Sequence, residues 1–128
     1  DHFGLVNPAD LDGAPARQLI ELLATGRVWV KLSAPYRITE DIADPRVGQL
    51  ARRLADANPE QVVWASDWPH TPVHHGTPVD DDRETPYRDI DTARLLAQVA
   101  EWFPEPRRQQ SILVDNPARL YGFTAPAA

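Results

Sequence analysis

At 128 residues, with 42% hydrophobic and 25% charged residues, the chain has ordinary globular composition and the length of one domain, which excludes disordered and collagen-like classes. Its 13 Lys and Arg against 19 Asp and Glu leave a formal charge of -6, which repels phosphate backbones and anionic lipid, so neither a nucleic-acid partner nor a membrane surface is expected. No apolar run reaches the roughly 20 residues that cross a bilayer, and with Cys 0 there are neither disulfides nor thiolate metal sites, a usage that fits a reducing cytoplasm.

The sequence contains no Met and opens directly on "DHFG", with no strand or helix cap before it. The expectation is a single partial domain over 1–128, a piece of a longer chain, with a processed mature protein as the competing explanation. The first helix is expected over 14–25, where Ala16, Leu19, Ile20, Leu22 and Leu23 form an apolar stripe, Arg17 and Glu21 face water as an i, i+4 pair, and Gly26 is the stop. The run 27–33 that follows, with Val28, Trp29, Val30 and Leu32, is too short and too rich in β-formers for a helix and reads as a strand covered on both faces.

Asp44 and Pro45 announce the second helix, an acceptor at the N-cap and a residue whose missing N–H costs nothing at the first helical position. Val47, Leu50, Ala51 and Leu54 supply its buried face, Asn58-Pro59-Glu60 breaks it, and 61–66 is the next buried strand. The long segment 68–90 carries Pro69, Pro72, Pro78, Pro86 and the acidic run Asp80-Asp81-Asp82, as expected of a functional or disordered loop. Asp91 then caps a helix over 92–103, with Ala93, Leu96, Val99, Ala100 and Phe103 at helical spacing and Pro104 and Pro106 after it. A last helix runs through "RRQQSILVDN", "NPARLYGF" at 116–123 closes the chain, and the tail beyond should fray. Helix and strand alternate at about 30 residues per unit, the signature of βα units and a parallel sheet in an α/β protein.

Polar groups recur where the strands end. His2 follows the place of a preceding strand, Lys31, Ser33 and Arg37 lie at or past the next strand end, and Asp67 and His70 lie past the one after. Loops at the carboxyl ends of parallel strands are where such sheets keep their chemistry, because they vary without disturbing the packed layer. Each residue also has a plain structural reading: Asp67 as a turn cap before Pro69, His70 as a loop histidine, Arg37 as half of a surface ion pair, Lys31 as an in-strand partner for a carboxylate. Tyr36 and Trp68 can simply shield the sheet end. The adjacent pair His74-His75 has the spacing of solvated loop histidines and is left out of the site.

"DHFG", "VWVKLSAPYR", "WASDWPHT" and "ILVDNPARLYGF" together resemble the C-terminal part of the amidohydrolase-related proteins, the branch similar to 2-pyrone-4,6-dicarboxylate lactonase. The resemblance implies a TIM (β/α)8 barrel of which this chain holds the C-terminal part: the last three βα units plus the closing helices. It also implies that His2 is the active-site histidine after strand six, Arg37 the arginine that grips a substrate carboxylate, Asp67 the strand-eight acid that activates water, and Ser33 and His70 substrate contacts. In metal-using members Asp67 and a His-x-His pair hold a divalent cation such as zinc, and that pair is not in this sequence. Partners implied are a small-molecule substrate and the missing N-terminal half of the barrel. Self-association is also expected, since unpaired strand edges invite it.

Three functions follow as expectations. The first is hydrolysis of a lactone of a carboxylated or sugar-like acid by water activated at Asp67, the 128 residues alone being inactive if the missing half is needed. The second is a decarboxylase of the same superfamily, against which Arg37 and His70 lean. The third is a non-catalytic α/β module acting through association.

Overall fold

The computed structural model describes residues 1–72 and 84–124. In chain order these form a tight turn at His2–Leu5, α1 (Ala14–Ala24), β1 (Val30–Ser33), a 3-10 turn at Pro35–Arg37, α2 (Pro45–Ala57), β2 (Val62–Ala65), α3 (Thr92–Trp102), and a closing stretch of α4 (Pro106–Gln110), a π turn at Ser111–Asp115 and α5 (Asn116–Tyr121). β1 and β2 pair in parallel with Val30 beside Val62 and Ser33 beside Ala65. Of the three strand ends expected from the sequence, two are ends of strands among the described residues, and the third place is taken by the turn that carries His2.

β1 is shorter than the expected 27–33 because a ladder needs a partner. Its first bond runs from the Val30 N–H to the Gln61 carbonyl, and the opposite chain before Gln61 is turning at Asn58-Pro59, so residues 27–29 have nothing to pair with. Within the ladder Val30, Leu32, Val62 and Val63 are all buried. α2 is built as its sequence implies: the Asp44 carboxylate accepts from the Arg46 N–H at 2.9 Å, Pro45 opens the first turn, and Val47, Leu50, Ala51 and Leu54 are fully buried.

Two helix faces differ from expectation. In α1 Ala16 and Leu23 are buried, whereas Leu22 is exposed, and Arg17 donates to the Asp12 carbonyl rather than pairing with Glu21. Gly26 ends α1 as expected, at φ 73, with its N–H on the Leu23 carbonyl. In α3 the buried face is Leu95, Gln98, Val99 and Trp102; Ala93, Leu96 and Ala100 point to water. Val99 and Phe103 are buried as the apolar pattern implies; the rest of the face is displaced because Gln98 is polar yet buried, its amide donating to the Ile42 carbonyl at 2.6 Å, and because Trp102 turns inward to meet Phe3 edge-on at 5.6 Å.

The closing stretch is continuous through α4, the π turn and α5 rather than two pieces. Asn116 is 1% exposed, and its amide donates to the Pro59 carbonyl at 2.8 Å and the Val62 carbonyl at 2.7 Å, fastening this stretch to the start of β2. Gly122, at φ 71, then ends α5. The core is one cluster in which Phe3, Leu23, Leu32, Leu50, Leu54, Val62, Phe103 and Ile112 meet. Among the described residues no helix is long and apolar enough to cross a membrane.

Candidate active site

Both strands end on the same side, and the backbone bends sharply just past each end. Ala34, directly after β1, adopts φ 48, ψ 60, and Pro35 starts a 3-10 turn there, which swings Tyr36 and Arg37 over the sheet end. Beyond β2, Asp67 sits at φ 60 and His70 at φ 61; in the first turn His2 sits at φ 54. Left-handed backbone at a residue with a side chain costs about 1–3 kcal/mol and persists where surrounding contacts over-determine it. Three of the five expected site residues pay that cost within one small region.

Those contacts converge on Asp67. Its Oδ2 accepts from the Tyr36 hydroxyl at 2.7 Å and from Arg37 Nε at 2.9 Å, and its Oδ1 lies 3.7 Å from His2 Nε2. His2 is tied to the neighbouring strand end, with Nδ1 2.9 Å from Ser33 Oγ and its backbone N–H donating to the same oxygen at 3.3 Å. A pocket open to solvent is lined by Asp1, His2, Lys31, Ser33, Ser66, Asp67 and Trp68. Lys31 Nζ is 3.0 Å from Asp1 Oδ1, so the cation of this pocket already faces a carboxylate. A second pocket between α2 and the closing helices, around Ala55, Pro59 and Ile112, holds neither a carboxylate nor a histidine.

Burial by itself would raise the Asp67 pKa. Hydrogen bonds from Tyr36 and Arg37, followed by the charge of Arg37, outweigh it and hold the carboxyl below its ordinary range. His2 moves down as well: burial is the main cause, opposed by the Asp67 charge and reinforced by Arg37. At neutral pH the pair is therefore a carboxylate beside a neutral imidazole. The Tyr36 phenol is pushed well above its ordinary value by burial, then by its hydrogen bond to Asp67 and that carboxylate's charge.

All five expected residues thus come together, although not all in the places expected. Asp67, His2 and Ser33 border the pocket. Arg37 is occupied behind the carboxylate: besides Asp67 it donates through Nη2 to the Thr71 carbonyl at 2.9 Å. His70 is 4% exposed, its ring nitrogens 3.0 Å from Tyr36 Oη and 3.0 Å from Thr92 Oγ1, so it supports the site from within the protein instead of bordering the pocket. Sequence reasoning gave Tyr36 only a shielding place and missed Thr92; the position of Tyr36 next to Arg37 past a strand end was a usable signal for the first, and none existed for the second. Trp68, the other expected shield, is 77% exposed on the rim. His74-His75 and Asp80-Asp81-Asp82 lie outside the described residues.

A divalent cation fits this donor set poorly. Among the described residues no three His, Cys, Asp or Glu side chains converge as ligands, and Asp67 Oδ2 is already taken by Tyr36 and Arg37, leaving His2 Nε2 and Asp67 Oδ1 as two donors where a zinc site uses three or four.

The model of the family described as amidohydrolase matches residues 1–123. The chain is 36% identical over 130 residues to a 4-sulfomuconolactone hydrolase of Hydrogenophaga intermedia, covering 100% of this chain and 40% of that protein. It is 30% identical to a D-galactarolactone isomerase of Agrobacterium fabrum, covering 94% of this chain and 39% of that one. A crystal structure from Pseudomonas putida, described as a 2-pyrone-4,6-dicarboxylic acid hydrolase, superposes with a TM-score of 0.75 at 25% identity, over 98% of this chain and 43% of that chain. The chain spans about two fifths of the length of the relatives it matches. The parallel α/β arrangement is accordingly that of part of a TIM barrel, and the chain belongs to the amidohydrolase family.

Proposed function

We propose that the site at Asp67 serves the hydrolysis of a lactone bearing an anionic substituent. The observation that carries the reading is the Asp67 carboxylate, held by two donors on Oδ2, with its other oxygen 3.7 Å from His2 Nε2 at an open pocket. Asp67 Oδ1 takes a proton from water as the water oxygen bonds to the ester carbonyl carbon. His2, with Nδ1 accepting from the Ser33 hydroxyl, carries its proton on Nε2 and donates it as a hydrogen bond to the developing oxyanion. Collapse breaks the ring C–O bond, the proton on Asp67 passes to the leaving alkoxide, and the product is a hydroxy acid. The substrate's anionic group takes the place of the Asp1 carboxylate on Lys31 Nζ, and Arg37 keeps Asp67 ionised and in place. The relatives named for sulfomuconolactone and galactarolactone support a cyclic ester as substrate class.

The test is ring opening of carboxylated and sulfonated lactones followed by proton release in weak buffer. Saturable hydrolysis is expected, with Asp67→Asn lowering kcat by about 10²- to 10⁴-fold, the usual worth of a general base. Turnover equal in the wild type and Asp67→Asn refutes the assignment.

A further inference from the structure

Behind Asp67, on the side away from the pocket, four polar side chains from three parts of the chain form one line. Tyr36 Oη is 2.7 Å from Asp67 Oδ2 and 3.0 Å from His70 Nδ1, and His70 Nε2 is 3.0 Å from Thr92 Oγ1. The Tyr36 and His70 rings meet edge to face at 6.0 Å and 81°, and the guanidinium carbons of Arg37 and Arg88 lie 5.7 and 5.4 Å from the Tyr36 ring centroid. Thr92 is the first residue of α3, whose N-terminus is fixed by the Asp91 carboxylate accepting from the Ala93 and Arg94 N–H groups. His70 is fixed in turn by backbone bonds, its N–H to the Asp67 carbonyl and its carbonyl from the Arg88 N–H.

Counting protons gives the line a direction. A phenol has one proton, and a carboxylate can only accept, so the Tyr36 proton points at Asp67. Tyr36 Oη must then accept from His70, which requires the proton of a neutral His70 to sit on Nδ1. That leaves a lone pair on Nε2, which accepts the Thr92 hydroxyl proton. Each donor thus polarises the next toward Asp67, and a break anywhere changes what the following member must do. Burial of the ring, at 4% exposure, keeps water from substituting for either partner.

We propose that Tyr36 is a positioning residue for Asp67, the last member of a one-way chain from Thr92 through His70 and Tyr36 that locks His70 as its Nδ1–H tautomer. The positioning role rests on the reading of Asp67 as the base; the tautomer does not. The other charged groups on the carboxylate are His2, which faces Oδ1 from the pocket side, and Arg37, which reaches Oδ2 through Nε; Nδ1 of His70 meets Tyr36 Oη.

The experiment is a two-bond proton–nitrogen correlation spectrum of the ¹⁵N-histidine-labelled chain, above the pH at which imidazole titrates. In the wild type His70 is expected to show a protonated Nδ1 and an unprotonated Nε2. Tyr36→Phe removes the acceptor at Nδ1 and leaves Thr92 Oγ1 able to accept, so His70 switches to the Nε2–H form; Thr92→Val leaves Nδ1–H in place. A purely structural role for Tyr36 moves neither signal in this pattern. A wild-type His70 protonated on Nε2 overturns the proposal without any variant having to fold, and an unchanged tautomer in folded Tyr36→Phe overturns it as well. In turnover of a lactone, Tyr36→Phe is expected to lower kcat about tenfold or more with KM little changed, as for a misplaced catalytic group; an unchanged kcat refutes the positioning role. The tautomer decides the chain of bonds whether or not the 128 residues turn over a lactone without the rest of the barrel.

Discussion

Replacing Asn116 by Ala tests how the closing helices hold the sheet. The Asn116 amide is a double donor, to the Pro59 and Val62 carbonyls, and Ala removes both bonds without filling the space. The Val62 contact is buried, so its carbonyl loses its donor where water cannot replace it, a cost of about 1–3 kcal/mol; the Pro59 contact is partly buried and is worth nearer the net value of an ordinary bond, about 0.5–1.5 kcal/mol. The sum is about 1.5–4.5 kcal/mol, which at a mid-range urea dependence of about 2 kcal/mol per molar shifts the unfolding midpoint down by roughly 1–2 M. Urea titration followed by tryptophan fluorescence and by far-ultraviolet circular dichroism measures it. Asn116→Asp sharpens the test, because a carboxylate facing two carbonyls is worse than an empty space: the expected order of stability is wild type, then Ala, then Asp. A midpoint for Asn116→Ala within experimental error of the wild type, or an Asp variant as stable as Ala, refutes the claim that this amide fastens α5 to β2.

Acidification should weaken the fold in two windows. His2 has a lowered pKa in the folded state, so the stability it contributes is complete above its ordinary 6.5 and is lost as pH falls from there through the folded value. Asp67 is lowered too, so its contribution is complete above 3.8 and is lost as pH falls through its own depressed value. Urea midpoints measured against pH should fall in both windows, and His2→Gln should flatten the upper one only; a midpoint that rises on acidification below 6.5 refutes the assignment. Gly48→Ala places a Cβ 2.8 Å from Trp102 Cδ1, a ring already held against Phe3. Overpacking of about 1–3 kcal/mol outweighs the gain of up to about 1 kcal/mol in helix propensity, so a net loss with a changed near-ultraviolet tryptophan signal is expected, and a rise in thermal midpoint is the contrary result.

How the site was legible differs from residue to residue. Asp67, Ser33 and Arg37 could be named because parallel strands deliver their ends to one side, and a polar residue just past a strand end is visible in a linear pattern, whereas His2 has no strand before it and was placed by the family resemblance of "DHFG". His70 was visible as a residue, but its depth was not: being 4% exposed depends on Tyr36 and Thr92 closing over it from elsewhere in the chain. Thr92 carried no signal, since a threonine after a helix cap is common and only the approach of α3 gives it a partner. In α3 the face was misread in part for a related reason, a buried Gln98 whose amide N–H reaches the Ile42 carbonyl, which is a tertiary fact.

The order of elements, the capping of α2 and α3, the stop at Gly26 and the parallel α/β class were determined by the sequence alone, because each depends on interactions within a few residues or on apolar periodicity along one element. Which oxygen of Asp67 is held and which is open, which partners the ring nitrogens of His2 and His70 meet, and how Asn116 reaches β2 were decided only by the tertiary structure. Those are distances between groups about 20 to 60 positions apart, and no local pattern encodes the angle at which two chain segments meet.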